Sequence, residues 1–287
     1  MRSKKIIKQK LRYIYDSVTS KKIKIGIGDV LLPRGGVSYI QMIAVGRYLD
    51  TLAYCKGNDT SFFIKNTIGT VTREDFDVLS GDKKFINLIE SYMRNGYDGS
   101  SRILTDKKLC IINGTHRLGL HLYLKIPVIS ALVKKRAECV DTGVDFLFKK
   151  GVYTDVLKSL QEGHGFVVEK LAELGQCFTI IVKGPLSDDK ISLKDDISIL
   201  SHVICSYSND VSHTDELVTL FQVWFECPDY VVDNHGEYRS NRALEIESLL
   251  EERVSCRQLR TEVKVSKNCI EGMQWFLSYR DLLNKNN

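Results

Sequence analysis

Two basic side chains, His116 and Arg117, follow Asn113-Gly114-Thr115 and precede an apolar run of Leu118, Leu120, Leu122, Leu124 and Ile126. The spacing predicts a helix, and the two bases then fall in its first turn. A helix begins with unpaired N–H groups and about half a positive charge, so acids or neutral caps are favoured there and cations are not. Bases in that turn are accounted for if an anion joins them. The free N–H groups, the helix dipole, His116 and Arg117 would converge on one point, and a phosphate fits that point best. A second account stays open. Arg117 could instead pair with a carboxylate such as Asp98 or Asp106, with His116 a satisfied core histidine.

Certain elements must hold these residues in place. Leu109–Ile112 is an apolar run expected as a strand, Asn113-Gly114 is a turn pair, and Thr115 is the expected N-cap of a helix reaching about Lys125. Gly114 would let a ligand approach the backbone with no Cβ in the way. Further strands are expected around Ile103 and over Val128–Val133, and from the stretch KIKIGIGDVLL, closed by Pro33 and Gly35-Gly36. A helix is expected over Ser38–Tyr54. Thr72, followed three residues later by Asp75, caps another, in which Phe85, Leu88, Ile89, Tyr92 and Met93 share a face and Gly96 ends the run.

Beyond a soft boundary at 135–150, helical patterns at 152–174 lead to the strand CFTIIVK, the loop GPLSDDK and a strand-like ISILSHVICSY. Helices are then expected at Thr214–Glu226, Arg242–Arg253 and Ser266–Leu283.

Composition limits the function classes. The 287 residues, 43% of them hydrophobic, suit one large domain or two ordinary ones with real cores. No apolar run is long enough to span a bilayer and no compact secretory signal opens the chain, so a soluble cytoplasmic protein is expected. Eight scattered cysteines without C-x-x-C or zinc spacing point to reduced, buried thiols. Residues 1–24 hold nine Lys/Arg against Asp16 alone, a local net of +8 in a chain of +5, which leaves the remaining body at −3. The basic character therefore belongs to an arm. Ile7, Leu11, Ile14 and Val18 recur there at helical spacing, which suits contact with a polyanion or a membrane surface.

The stretch TDKKLCIINGTHRLGLHLYLKIPVISALV resembles the signature of the ParB/sulfiredoxin superfamily: an acidic turn, an apolar strand, [DN]-G-x-x-R-L, an apolar helix and an IPV strand. Asp106, Ile111-Ile112, Asn113 to Leu118 and Ile126-Pro127-Val128 carry the likeness. The resemblance implies a mixed α/β chain with a ParB/sulfiredoxin-like nucleotide-binding domain over 23–135, followed by a smaller α/β unit over 136–287. It also implies phosphate binding by Asn113, Gly114, Thr115, His116 and Arg117. Sulfiredoxins carry a catalytic Cys where Thr115 stands, so sulfinic-acid repair is not expected. CTP-binding ParB proteins have a Glu-Arg-Arg form and a helix-turn-helix that this chain does not show.

The free-serine kinases of the superfamily have Asp-Gly-His-Thr-Arg, close to Asn113–Arg117 with His and Thr exchanged and the leading acid replaced. That likeness implies an ATP- or ADP-dependent kinase of a small hydroxylated amino acid or sugar. His116 and an upstream Glu74 would be its catalytic residues, and Mg2+ would be held by carboxylates such as Asp98 or Asp106. The rival reading is a non-catalytic, nucleotide-responsive protein that binds DNA or a partner. A fainter likeness of FTIIVKGPLSDD to the first strand and loop of lipopolysaccharide glycosyltransferases adds only a hint of carbohydrate chemistry.

Overall fold

The computed structural model describes residues 20–31, 42–57, 78–97, 102–134, 154–184, 189–209, 218–225, 229–233, 235–256 and 261–285. The chain is mixed α/β, as expected. In the first half, β1 (Lys21–Gly26) leads directly into a short helix α1 (Ile27–Leu31), followed by α2 (Met42–Cys55) and α3 (Val78–Asn95). Then come β2 (Ile103–Thr105), β3 (Ile111–Asn113), α4 (Thr115–Tyr123) and β4 (Val128–Val133). Their sheet has the order β1-β4-β2-β3, with β2 parallel to β4 and the other pairs antiparallel.

KIKIGIGDVLL was expected to be one strand, but it turns helical at Ile27. The Gly26 N–H leaves the ladder and donates to Tyr238 Oη at 2.9 Å. The strand expected at Leu109–Ile112 shifts to Ile111–Asn113, because Leu109 is a buried turn residue at φ 61°. Phe85, Ile89 and Tyr92 are buried on α3, and Gly96 ends that helix at φ 68°, in the left-handed region that glycine adopts without strain. Met93, expected on the same face, is exposed.

The second half holds α5 (Thr154–Glu173), β5 (Phe178–Lys183), α6 (Asp189–Leu200), β6 (His202–Asn209), β7 (Val218–Trp224), the hairpin β8 (Tyr230–Val232) and β9 (Tyr238–Ser240), α7 (Asn241–Cys256), β10 (Glu262–Val265) and α8 (Cys269–Lys285). Its sheet runs β10-β5-β7-β6, antiparallel throughout. The helix expected at Thr214–Glu226 is instead strand β7, buried at all seven positions. A strand covered on both faces is apolar on both, apart from the buried Thr219 and Gln222 here, so periodicity does not separate it from a buried helix. The strand-like ISILSHVICSY divides between the end of α6 and β6. The C-terminal unit is not the smaller one, since it carries six strands and four helices among the described residues.

One apolar core joins the halves, running from Ile23 and Leu118 through Val167 and Phe178 to Ile246 and Cys269. α5 packs on α2, and the start of α8 packs on β1 and α1. Asp29 of α1 fastens this junction. It is fully buried, and its Oδ1 accepts from Tyr230 Oη at 2.6 Å and from the Cys269 N–H at 3.0 Å. Its Oδ2 accepts from Tyr238 Oη, and from the Gly26 N–H at 3.2 Å. Burial raises the Asp29 pKa, and these hydrogen bonds pull it partly back.

Candidate functional site

The quoted motif forms the turn from β3 into α4. Gly114, not Thr115, is the N-cap, at φ 114° and ψ 15°, and no side chain caps the helix. The first intrahelical bond runs from the Leu118 N–H to the Gly114 carbonyl at 2.9 Å. Among the described residues the N–H groups of Thr115, His116 and Arg117 have no acceptor. A Cβ on Gly114 would lie 3.1 Å from the Ile103 side chain. The space that glycine frees is therefore filled by β2, and is not kept open for a ligand as the sequence suggested. Asn113 is exposed at the end of β3, opposite Leu104.

Packing brings further bases to this helix end. α2 and α4 cross backbone to backbone at Gly119, where a Cβ would be 2.8 Å from the Arg47 carbonyl carbon and the Tyr48 nitrogen. That approach places Arg47, only 3% exposed, beside the first turn of α4. Arg47 Nη1 pairs with the buried Asp50 at 3.2 Å, and its guanidinium sits 5.2 Å above the Phe85 ring of α3. The His116 ring lies 4.9 Å from that same Phe85. Arg117 Nη1 donates to the Arg102 carbonyl at 3.1 Å, and no carboxylate pairs with Arg117 or Arg102 among the described residues. The Nε atoms of Arg102 and Arg117 are sealed from water without an acceptor.

The electrostatics follow from these positions. Desolvation, then Arg47, then Arg117 lower the His116 pKa to about 3, so its imidazole is neutral at neutral pH. His121, one turn on, is fully buried against Tyr92 and Tyr97, with both ring nitrogens lacking a hydrogen-bond partner. Desolvation and then Arg117 lower its pKa to about 4.

Other residues proposed from sequence are placed differently. Asp106 closes the β2–β3 turn, its Oδ1 accepting from the Lys108 N–H at 2.9 Å and the Cys110 N–H at 2.8 Å. Glu74 and Asp98 lie outside the described residues, as do Thr72 and Asp75. Among the described residues no group of three or more His, Cys, Asp or Glu is arranged to hold a metal.

No family model, curated protein or solved structure matches this chain. The site is therefore read from its own residues. Sequence reasoning missed Arg47, Asp50, Phe85, Arg102 and His121. A signal for two of them was present: Arg47 and Asp50 are the only charges in Met42–Cys55, spaced i, i+3 on a helix otherwise built for burial.

Proposed function

We propose that this protein binds a nucleotide, ATP or ADP, through its phosphates at the N-terminus of α4. On this reading it is a phosphotransferase acting on a small hydroxylated metabolite such as an amino acid or sugar. The observation that carries the reading is the local imbalance of charge. Three uncommitted first-turn N–H groups, the dipole end of α4 and the Arg117 guanidinium meet at one place, and no carboxylate pairs with Arg117 among the described residues. A phosphate offers acceptors to all of them. Phosphoryl transfer is mostly positioning and charge stabilisation, which a fixed guanidinium and backbone amides provide.

The transfer step itself leans on the resemblance to the free-serine kinases. Their base would correspond to Glu74, outside the described residues. A Mg2+ at Asp106 would compete for Oδ1 with the amides of its own turn.

A second reading, a non-catalytic nucleotide-responsive protein whose basic arm touches a polyanion, DNA or a membrane surface, draws support from His116. An imidazole with a pKa of about 3 is a poor base for an acceptor hydroxyl. Nucleotide consumption that depends on an added amino acid or sugar separates the two readings.

The binding half is tested by Arg117→Ala. The variant should bind ADP or ATP roughly ten- to a hundredfold more weakly, by about 1.5–3 kcal/mol. Its apo stability should stay within about 1 kcal/mol, since one hydrogen bond is lost while repulsion from the helix dipole is relieved. Thermal melts with and without nucleotide read both effects. A wild type that gains nothing from either nucleotide, beside a variant that melts much earlier, rejects the phosphate site.

A further inference from the structure

The outer edge of β1 opens into a cleft between the two halves. Successive N–H groups of a strand point to opposite edges. The Ile27 N–H donates to the Pro127 carbonyl at 2.9 Å, on the β4 side, and the Gly26 N–H turns away from β4 to Tyr238 Oη. By the same alternation, the N–H and C=O groups of Lys22 and Lys24 face away from β4. The β8–β9 turn closes this edge at Lys22, where a Cβ on Gly236 would lie 3.8 Å from the Lys22 carbonyl oxygen. Tyr238 closes it at Gly26. Between them the N–H and C=O of Lys24 have no partner among the described residues.

The cleft has a volume of about 440 Å³, within the range of small-ligand sites, and its walls are residues 235–238 and the start of α8. Asn268 ties the walls together. Its Nδ2 donates to the Tyr238 carbonyl at 2.8 Å, and its Oδ1 accepts from the Glu271 N–H at 2.9 Å. The lining residues include Lys22, Lys24 and Lys267 against Glu237 and Glu271, one positive charge in excess. Glu271 is committed to Lys267, whose N–H it accepts at 2.6 Å. Lys22 and Lys24 are exposed, with no carboxylate partner among the described residues.

A strand closed at both ends cannot take a chain that runs through, but it can take a chain end. We propose that this cleft binds a free carboxylate preceded by an amide, as at a peptide C-terminus or in an N-acylated amino acid. The amide N–H of the last residue donates to the Lys24 carbonyl, and its carboxylate accepts from the Lys24 N–H, as one rung of an antiparallel pair. The ammonium groups of Lys22 and Lys24 are within reach of that carboxylate and match its single charge. The site is built from β1, the β8–β9 turn and α8, so it is separate from the turn that opens α4.

The test is nitrogen-15 NMR of the full chain, titrated with acetyl-alanyl-alanine as the free acid. The Lys24 amide signal should move and its hydrogen exchange should slow. The C-terminal amide of the same probe, which lacks the charge, should bind about ten- to a hundredfold more weakly. A probe methylated on its last nitrogen, which cannot donate to the Lys24 carbonyl, should also bind at least several-fold more weakly. Lys22→Gln combined with Lys24→Gln, both at exposed side chains, should lower affinity for the free acid about tenfold while the Lys24 position still responds. Acetyl-alanine binding as well as a longer peptide identifies a small N-acylated amino acid as the ligand; tighter binding of the longer peptide identifies a protein C-terminus. A Lys24 signal unmoved by millimolar free acid, equal affinity for acid and amide, or the same response to inorganic phosphate alone overturns the proposal.

Discussion

The two buried histidines of α4 make a quantitative forecast about acid. His116 and His121 have folded pKa values of about 3 and about 4, against 6.5 when unfolded. A folded pKa below the unfolded one means that the unfolded chain binds the proton first. Stability is then present above pH 6.5 and lost as pH falls toward the folded values. At pH 5 the unfolded histidine is almost fully protonated while the folded one is not, so each residue costs about 2 kcal/mol, and the pair about 4 kcal/mol, relative to pH 7. That is a large part of the roughly 5–15 kcal/mol that holds an ordinary domain together.

Few other shifted groups act in this window. The lowered carboxylates Asp233, Glu173 and Glu262 lose their contributions only below their ordinary values of 3.8, 4.5 and 4.5. Asp29, whose folded pKa is raised, runs the other way: its cost appears as pH rises through the folded pKa, so acid relieves it. Urea unfolding at pH 7 and pH 5 measures the loss, and His121→Phe, which leaves an apolar ring against Tyr92 and Tyr97, should reduce it by about 2 kcal/mol. An unchanged pH dependence in that variant would show that His121 is not held neutral in the fold and would refute the reasoning.

Asp29→Ala should cost at least about 3 kcal/mol, because the hydroxyls of Tyr230 and Tyr238 and the Cys269 N–H lose a buried acceptor together; urea midpoints read it, and a change under 1 kcal/mol would mean water reaches the junction. Asp29→Asn, which keeps an acceptor oxygen, should be markedly milder in the same assay. Gly119→Ala should destabilise by about 1–3 kcal/mol, since its methyl meets the α2 backbone at 2.8 Å, and it should also weaken ADP binding by shifting Arg47. A neutral effect on both would break the link between helix crossing and site.

Much of the first half could be read from the sequence because its elements are amphipathic. The α3 face of Phe85, Ile89 and Tyr92, the α4 stripe of Leu118 and Leu122, and strand Val128–Val133 each present one apolar side, and period alone finds them. β7 hid because it has no polar side. Thr115 looked like the cap because its side chain could cap, whereas the structure spends the left-handed Gly114 there and leaves the amides bare. The anion site was half visible. Its bases on α4 are adjacent in sequence, but Arg47 arrives only through the Gly119 crossing, a property of tertiary packing.

The Asp29 junction also sets an order of events during synthesis. Its carboxylate and the Cys269 N–H are separated by 240 residues, so at about 5–20 residues per second the acceptor waits roughly 12–50 s for its last donor. Through most of that interval only the Gly26 N–H and water can solvate the charge, since Tyr230 and Tyr238 are made late as well, and the burial of Ile27 and Leu31 is incomplete without the second half. β1 can pair with β4 once Val133 has been made, but the side of α1 that meets α8 stays unfinished until nearly the whole chain has been synthesised.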